Sequence, residues 1–497
     1  MKNMCAKVRR NGNSLLVAGR LEKLLGYSLY LRHEIVGRWS GLAISIEAAA
    51  KILILAVVGL IVFCSMANSE QWHRAVEYLR ENDYGRASFI LAKALLLINF
   101  ALFIWRLFLV IAYRPSRTCN DGQLPACTVV VPAYNEGSLV FETLQSIVKS
   151  DYPAEKLQII AVDDGSVDDT WLWIQKAAGQ MNGRIQTIRL SSNRGKRQAL
   201  YSGFLASRGQ VLVTVDSDSI VESQTLRRLV SPFHWDKNIG AVAGNVRVLN
   251  RLDGLIPCML NVSFTYCFDF VRASQSMVKS VFCTPGALAA YRRDALMAVL
   301  KTWVSQRFLS RPASIGEDRA MTNLILRSGY HVSYQSNAVV YTKVPVGYKG
   351  LCRMFLRWAR SNIRESIVMA SFVFSKFRRS SALGCRINFI GGIINLIVPR
   401  FLFIAALGYI LWQPDLFLPQ FLLGSIVAGL IPAAFYFIRW RSSDAVWAFA
   451  YAVFWSTALW WITLYAIMTV HNGNWLTRQI TKPQQRPERI CGLKAAS

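Results

Sequence analysis

Histidine is nearly missing from this chain, five residues in 497, and the ten cysteines are scattered without a single Cys-x-x-Cys pair. Those shortages indicate neither a zinc site nor a disulfide framework, and buried free thiols are the ordinary reading of the cysteines. No Gly-x-Gly-x-x-Gly follows the first expected strand, and no Gly-x-x-x-x-Gly-Lys-Ser/Thr occurs. A dinucleotide dehydrogenase and a P-loop ATPase are both disfavoured. Acidic residues are few, 29 against 57 Lys and Arg, which leaves a formal charge of +28. Such an excess could serve nucleic acid, but no helix-turn-helix, finger or other nucleic-acid module stands out, and no nucleic-acid partner is expected.

The positive charge stands beside apolar runs instead. Lys2, Lys7, Arg9, Arg10, Arg20, Lys23, Arg32 and Arg38 precede the first run, and Lys376, Arg378, Arg379 and Arg386 precede the third. Positive residues at that position mark the cytoplasmic side of a bilayer and favour anionic lipid. With 53% hydrophobic residues and a mean hydropathy of +0.28 the chain is too apolar for an ordinary soluble protein. Its apolar residues gather at the two ends. Ile52 to Ala67, Phe89 to Ala112, Ile387 to Trp412, Leu418 to Ile438 and Ala445 to Val470 reach or approach the roughly 20 residues that cross a bilayer. The first run starts near residue 41, too far in for a cleavable signal peptide.

The expected organisation is a basic cytoplasmic arm over 1–40 and two spans within 41–114 joined by a polar loop. A cytosolic domain at 125–345, interfacial helices at 346–385, further spans at 386–470 and a basic tail at 471–497 follow. Three simple spans after 386 would leave the tail on the far side, whereas its basic character places it with the domain. Pro399-Arg400 interrupts the first of these segments and 445–470 is long, so one of the two is expected to bend or re-enter.

The middle of the chain alternates strand and helix patterns. Cys127 to Pro132, Leu157 to Val162, Ile185 to Leu190 and Leu212 to Val215 are short, apolar and rich in β-branched residues, which predicts buried strands. Helical stretches between them predict a mostly parallel sheet, with a ligand site at the carboxyl ends of the strands. Acids stand at those ends: Asp163-Asp164 after the second strand and Asp216-Ser217-Asp218 after the fourth. Two like charges so close repel, and a divalent cation carrying phosphates would relieve them. The bland alternative is that one acid caps a helix and the other is solvated.

Seven motifs occur in order: Val-Pro-Ala-Tyr-Asn-Glu (131–136), Val-Asp-Asp-Gly-Ser (162–166), Asn-Arg-Gly-Lys-Arg (193–197), Val-Asp-Ser-Asp (215–218), Gly-Ala-Leu-Ala-Ala-Tyr-Arg-Arg (286–293), Gly-Glu-Asp-Arg (316–319) and Arg-Trp-Ala-Arg-Ser (357–361). Over roughly residues 40–480 the chain resembles the membrane-embedded family 2 glycosyltransferases, above all hyaluronan synthases and nodulation chitooligosaccharide synthases. The resemblance implies an A-type α/β glycosyltransferase domain, Rossmann-like, set between N- and C-terminal transmembrane helices in an inner or plasma membrane. It further implies a processive, inverting β-glycosyltransferase that polymerises UDP-sugars, UDP-N-acetylglucosamine among them, and exports the polysaccharide. An alginate- or glucan-type synthase and a non-processive lipid-linked sugar transferase are the alternatives.

The same resemblance implies roles. Asp318 is the general base, with Glu317 either raising its pKa or serving as a solvated partner of Arg319. Tyr134, Glu136, Asp164, Lys196, Asp216 and Arg357 hold the nucleotide, with Arg197 a further candidate at the diphosphate. Asp218, with Asp216 on ribose or metal, holds Mg²⁺ or Mn²⁺. Gly286, Trp358, Asp269 and Gln275, together with Arg272, are candidates for the growing polysaccharide. Trp475, Thr477 and Arg478 resemble a gating loop. As bland alternatives, Glu317-Asp318 would only cap a helix, Gly286 would be an ordinary loop glycine, and Arg357-Trp358 would anchor an interfacial helix. Met354 stands where the family has Gln, and a thioether replaces neither the donor nor the acceptor of an amide. Asn395 and Arg400, at membrane depth, are candidates for a polar sugar path, although Arg400 could equally pair within the protein.

Overall fold

The computed structural model of the protein describes residues 40–473. The chain divides at Val57–Val58. Before that point the described residues form the first part of the helix Ser40–Ala67, in which Lys51 meets Glu47 one turn back at 2.7 Å.

After it, ten strands follow in chain order: β1 (Cys127–Ala133), β2 (Leu157–Asp163), β3 (Ile185–Arg189), β4 (Val211–Val215), β5 (Ser219–Val221), β6 (Ile239–Val248), β7 (Leu288–Arg292), β8 (Arg307–Phe308), β9 (Arg311–Pro312) and β10 (His331–Thr342). Eight of them form one sheet in the order β3-β2-β1-β4-β7-β6-β10-β5, and β8 and β9 form a small hairpin. Every residue of β1 and β4 is buried, as a strand covered by helices on both faces must be. The first four strands pair in parallel, as their crossover helices require.

The sheet is mixed rather than mostly parallel beyond that point. β7 runs antiparallel to both β4 and β6, because the chain reaches it from the helical excursion Leu255–Met277 and the following loop rather than from a crossover helix lying on the sheet. β10 then pairs in parallel with β6 and antiparallel with β5.

Among the described residues four helices are long and apolar enough to cross a membrane: Ile46–Ala67, Asp83–Ala112, Leu383–Trp412 and Pro414–Trp440, two on each side of the sheet domain in sequence. The protein is therefore a membrane protein by length and composition of its helices. The stretch between the first two is the helix Ser69–Glu81 rather than a polar loop. Trp72, Ala75 and Leu79 recur at helical spacing and pack on Leu416 and Phe417, with the Trp72 and Phe417 rings 5.5 Å apart.

Of the two segments of which one is expected to bend, the later does. Ser443–Ala458 and Trp461–Met468 meet at 48°. Both ends of this pair touch the sheet domain: Asp444 pairs with Arg251 at 2.6 Å, and the carbonyl of Gly473 accepts from the Ser314 hydroxyl.

Leu383–Trp412, by contrast, stays helical through Pro399. Proline has no N–H for the carbonyl four residues back, and that carbonyl, Asn395 O, accepts from Arg400 Nη1 at 2.6 Å, while Arg400 Nη2 donates to Thr463 Oγ1 at 2.9 Å. The Asn395 amide donates to Gly391 O. Arg400 thus compensates the break at Pro399 and ties the helix to its neighbour through Thr463.

If that repair is what Arg400 does, Arg400→Leu strands a buried carbonyl at a cost of about 1–3 kcal/mol. Pro399→Ala, which returns the missing N–H, should recover most of the loss. Thermal unfolding in detergent of the two single variants and the double variant measures the coupling, and equal losses in both backgrounds would show that Asn395 O is not what Arg400 serves.

Candidate active site

The carboxyl ends of β2, β1 and β4 lie side by side, so the loops after them meet. After β2, Asp164 turns its carboxylate onto backbone: Oδ1 accepts from Arg194 N at 2.9 Å and Oδ2 from Gly195 N at 2.8 Å. Gly165 makes this possible. Its φ is +70°, and a Cβ there would lie 2.5 Å from Ser192 C, so no larger residue lets the 192–195 loop come so close. Burial pushes the Asp164 carboxyl up to about 6, against the two N–H groups that favour its charge. Asp163 accepts from Ser166 N and meets Arg189 Nε at 3.2 Å. Asn135, at φ +52°, takes Ser166 Oγ on its own N–H. Glu136 accepts from Ser217 Oγ at 2.9 Å, which joins the turn after β1 to the turn after β4. Tyr134 is buried beside it in sequence.

After β4 the two aspartates diverge. Asp216 Oδ1 faces Lys196 Nζ at 2.5 Å, and the same ammonium meets Glu317 Oε1 at 3.0 Å. Burial opposes the charge on Lys196, but the two carboxylates outweigh it and raise its pKa. Gly286 closes the ring. A Cβ at this position would lie 2.6 Å from Lys196 Nζ, 3.5 Å from Glu317 Oε1 and 3.6 Å from Asp216 Oδ1, so it is more than an ordinary loop glycine. Asp218 lies instead within reach of Ser219 Oγ at 3.3 Å and Thr342 Oγ1 at 3.4 Å, at the end of β10. Among the described residues no three His, Cys, Asp or Glu converge. A cation here would take one or two carboxylates and complete its shell with phosphate and water, and Mg²⁺ and Mn²⁺ tolerate that arrangement.

Glu317 and Asp318 open the helix Glu317–Arg327. Burial disfavours charge on Glu317, yet Lys196 and Arg357 more than offset it and hold its pKa low. Burial and the neighbouring Glu317 charge push Asp318 up, while Lys196 and the Arg319 N–H pull the other way. The two adjacent carboxyls are thus driven in opposite directions. Glu317 is thus neither solvated nor paired to Arg319, which donates to Asn362 Oδ1 and Ser366 Oγ. Asp318 Oδ1 accepts from Arg319 N at 2.7 Å, and Oδ2 has the Cys283 thiol at 3.6 Å.

The structure does not bring every candidate together. Asp269 is buried in a network of its own, held by Arg247 Nη2 at 2.5 Å, Asn245 Nδ2, Tyr334 Oη and Arg439 Nε at 3.6 Å. It joins β6 and β10 to the end of the helix Pro414–Trp440 rather than facing a sugar. Gln275 is buried and accepts from Phe282 N. Arg272 lies over the Phe268 ring at 3.8 Å, and its Nε donates to Cys283 O. Arg197 donates to Trp303 O and Gln306 Oε1 rather than to a carboxylate of the ring, although the Glu317 charge lies near enough to act on it. Trp358 is part-exposed against Phe264 and Phe355, and Met354 is buried. Trp475, Thr477 and Arg478 lie outside the described residues. Cys283 was legible only as part of a loop, since a thiol carries no spacing signal.

Residues 125–361 match Glycosyltransferase like family 2; the chain carries a family 2 glycosyltransferase domain. It is 34% identical over 268 residues to the N-acetylglucosaminyltransferase of Rhizobium meliloti (strain 1021), covering 53% of this chain and 62% of that protein. It is 34% identical over 254 residues to the N-acetylglucosaminyltransferase of Bradyrhizobium diazoefficiens, covering 50% and 52%. The chain thus spans between half and two thirds of these curated relatives. Among solved structures, a mannosyltransferase from Pyrobaculum calidifontis in complex with GDP-Man and Mn²⁺ covers 74% of this chain and 98% of its own, with a TM-score of 0.51 at 22% identity. That likeness is one of fold, the A-type glycosyltransferase domain.

The Asp164 carboxyl takes up a proton as pH falls through about 6, and with the charge goes its hold on the 194–195 backbone. If this turn holds the nucleotide, as the sequence resemblance implies, affinity for UDP should drop between pH 7 and pH 5, and Asp164→Asn should bind about tenfold more weakly at pH 7 with a flatter pH response. Calorimetric titration with UDP at the two pH values checks both, and a variant as pH-sensitive as the parent would acquit Asp164.

Proposed function

We propose that the protein is a processive, inverting β-glycosyltransferase that builds a polysaccharide from UDP-sugars, UDP-N-acetylglucosamine among them, and passes it across the membrane. The observation that carries this reading is the pairing of a charged Glu317, anchored by Lys196, with a neighbouring Asp318 whose proton affinity is raised. The names of the relatives, all N-acetylglucosaminyltransferases, support the sugar.

In this reaction Asp318 removes the proton from a hydroxyl of the acceptor. That oxygen forms a bond to the anomeric carbon on the face opposite the diphosphate, the bond from carbon to the diphosphate oxygen breaks, and UDP leaves with the electron pair. One displacement inverts the anomeric centre and needs a single base. Lys196 and Arg357 face the diphosphate, Asp164 and the 134–136 turn shape the base pocket, and Trp358 offers an aromatic face to the acceptor sugar. Asp218, with Asp216, would hold Mg²⁺ or Mn²⁺, which offsets charge on the leaving diphosphate when bound.

The membrane helices on both sides of the domain support export. Because both ends of the bent pair Ser443–Met468 meet the domain, we read that pair as re-entrant. The chain then leaves Gly473 on the domain's side, beside Ser314, four residues before Asp318.

The test is UDP release by the purified protein in detergent with Mg²⁺ or Mn²⁺, with UDP-N-acetylglucosamine, UDP-glucose and UDP-glucuronate offered singly and in pairs. Turnover of UDP-N-acetylglucosamine is expected, falling at least 100-fold in Asp318→Asn. Because Asp318 must be ionised to accept a proton and its pKa is raised, kcat should fall on the acid side of the profile. Turnover unaffected by Asp318→Asn would remove it as the base. A requirement for two donors would mean an alternating polymer, and a single short addition would overturn processivity.

A further inference from the structure

Glu365 is fully buried, pairs with Arg364 and lies outside the ring of carboxylates described above. Its Oε1 accepts from Arg364 Nε at 3.0 Å and from Gln306 Nε2 at 3.1 Å, and its Oε2 accepts from Asn323 Nδ2 at 3.0 Å. The same Asn323 amide also reaches the Glu365 carbonyl at 2.9 Å. Gln306 in turn accepts from Arg197 Nη1 at 2.9 Å, at the start of the helix Lys196–Leu205. A single carboxylate thereby ties together three segments that carry site residues. They are the helix with Asp318 (through Asn323), the helix with Lys196 (through Gln306 and Arg197), and the helix Tyr348–Ala370 with Arg357.

The contact along that last helix is continuous. Arg357, Ser361, Arg364 and Glu365 follow i, i+4, i+7, i+8 spacing and so share one face. Ser361 presses on Gly316, where a Cβ would fall 1.7 Å from Ser361 Oγ and where φ is +68°. Arg364 Nη2 donates to Ile315 O. Asn362 and Ser366 accept from Arg319, the residue after Asp318. The register between this helix and the Gly316-Glu317-Asp318 turn fixes how far the Arg357 guanidinium stands from Asp318.

We infer that Glu365 is a positioning residue for glycosyl transfer: it sets the register that places Arg357, Asp318 and Lys196 about one reaction centre. The inference rests on the reading of Asp318 as base and Arg357 at the diphosphate. A buried carboxylate suits this task because it can accept from several segments at once, and losing it leaves the Arg364 charge uncompensated.

The test uses the full-length protein in detergent, with Glu365→Gln and the milder Gln306→Ala, which keeps the Arg364–Glu365 pair. Molecules competent to bind UDP are counted by titration, so that misfolded protein is not scored. Per competent molecule, kcat should fall about tenfold in each variant while the donor KM stays within about twofold, since sub-ångström displacement of reacting groups costs rate more than binding. Backbone hydrogen exchange should quicken over 305–320 and 353–366 and stay unchanged in β1, β2 and β4. An unchanged kcat per competent molecule, or exchange that rises evenly over the whole domain, would show that Glu365 only stabilises the fold. If the parent protein turns over no UDP-sugar, the donor reading fails, and the exchange pattern still decides whether Glu365 sets the register.

Discussion

One ammonium group organises the centre of this protein. Lys196 lies between Asp216 and Glu317, which come from β4 and from a helix 100 residues later. Glu317 is buried and Lys196 is part-buried, so both lose contact with water and are held by their mutual attraction, with the more open Asp216 as the second partner of the ammonium. The neighbouring residues are selected around that cluster. Gly286 has no side chain because the lysine stands where one would go. Asp318, next to an anion it cannot escape, holds its proton more tightly than an exposed aspartate does.

The arrangement also separates two duties that a pair of adjacent acids could confuse. Glu317 spends its charge on Lys196, so its protonation is fixed. Asp318 is held by one N–H and a thiol, weaker partners that leave it able to exchange a proton. The helix Tyr348–Ala370 carries Arg357 and Trp358 on the same turn and is fastened to the Asp318 helix by Ser361, Arg364 and Glu365. A shift in the membrane helices packed on it, among them Trp461–Met468 through the bond from Arg360 to Thr469, would be felt at the site.

Polar groups at membrane depth here serve the helices. Arg400 fills the gap left by Pro399, and the Asp269 network clamps β6 and β10 to the end of a spanning helix. Such residues look functional in a sequence because they are costly in an apolar setting. Their cost is offset locally by carbonyls and opposite charges.

The sequence by itself determined the order of strands and helices in the first half of the domain, the spans, and the acids at the strand ends. Those follow from periodicity and from strong, local preferences: buried parallel strands are apolar runs, and turns that bind phosphate or metal are short and polar. Only the tertiary structure decided the reversal at β7, the bend at 459–460, and the separation of Asp216 from Asp218. It also showed Glu317 as the partner of Lys196, Arg197 hydrogen-bonded to Trp303 and Gln306, and Glu365 as a hub. Each of these depends on residues far apart in the chain meeting in three dimensions. A carboxylate in a sequence carries no sign of whether its partner will be water, a lysine 121 residues earlier or a glutamine 59 residues away.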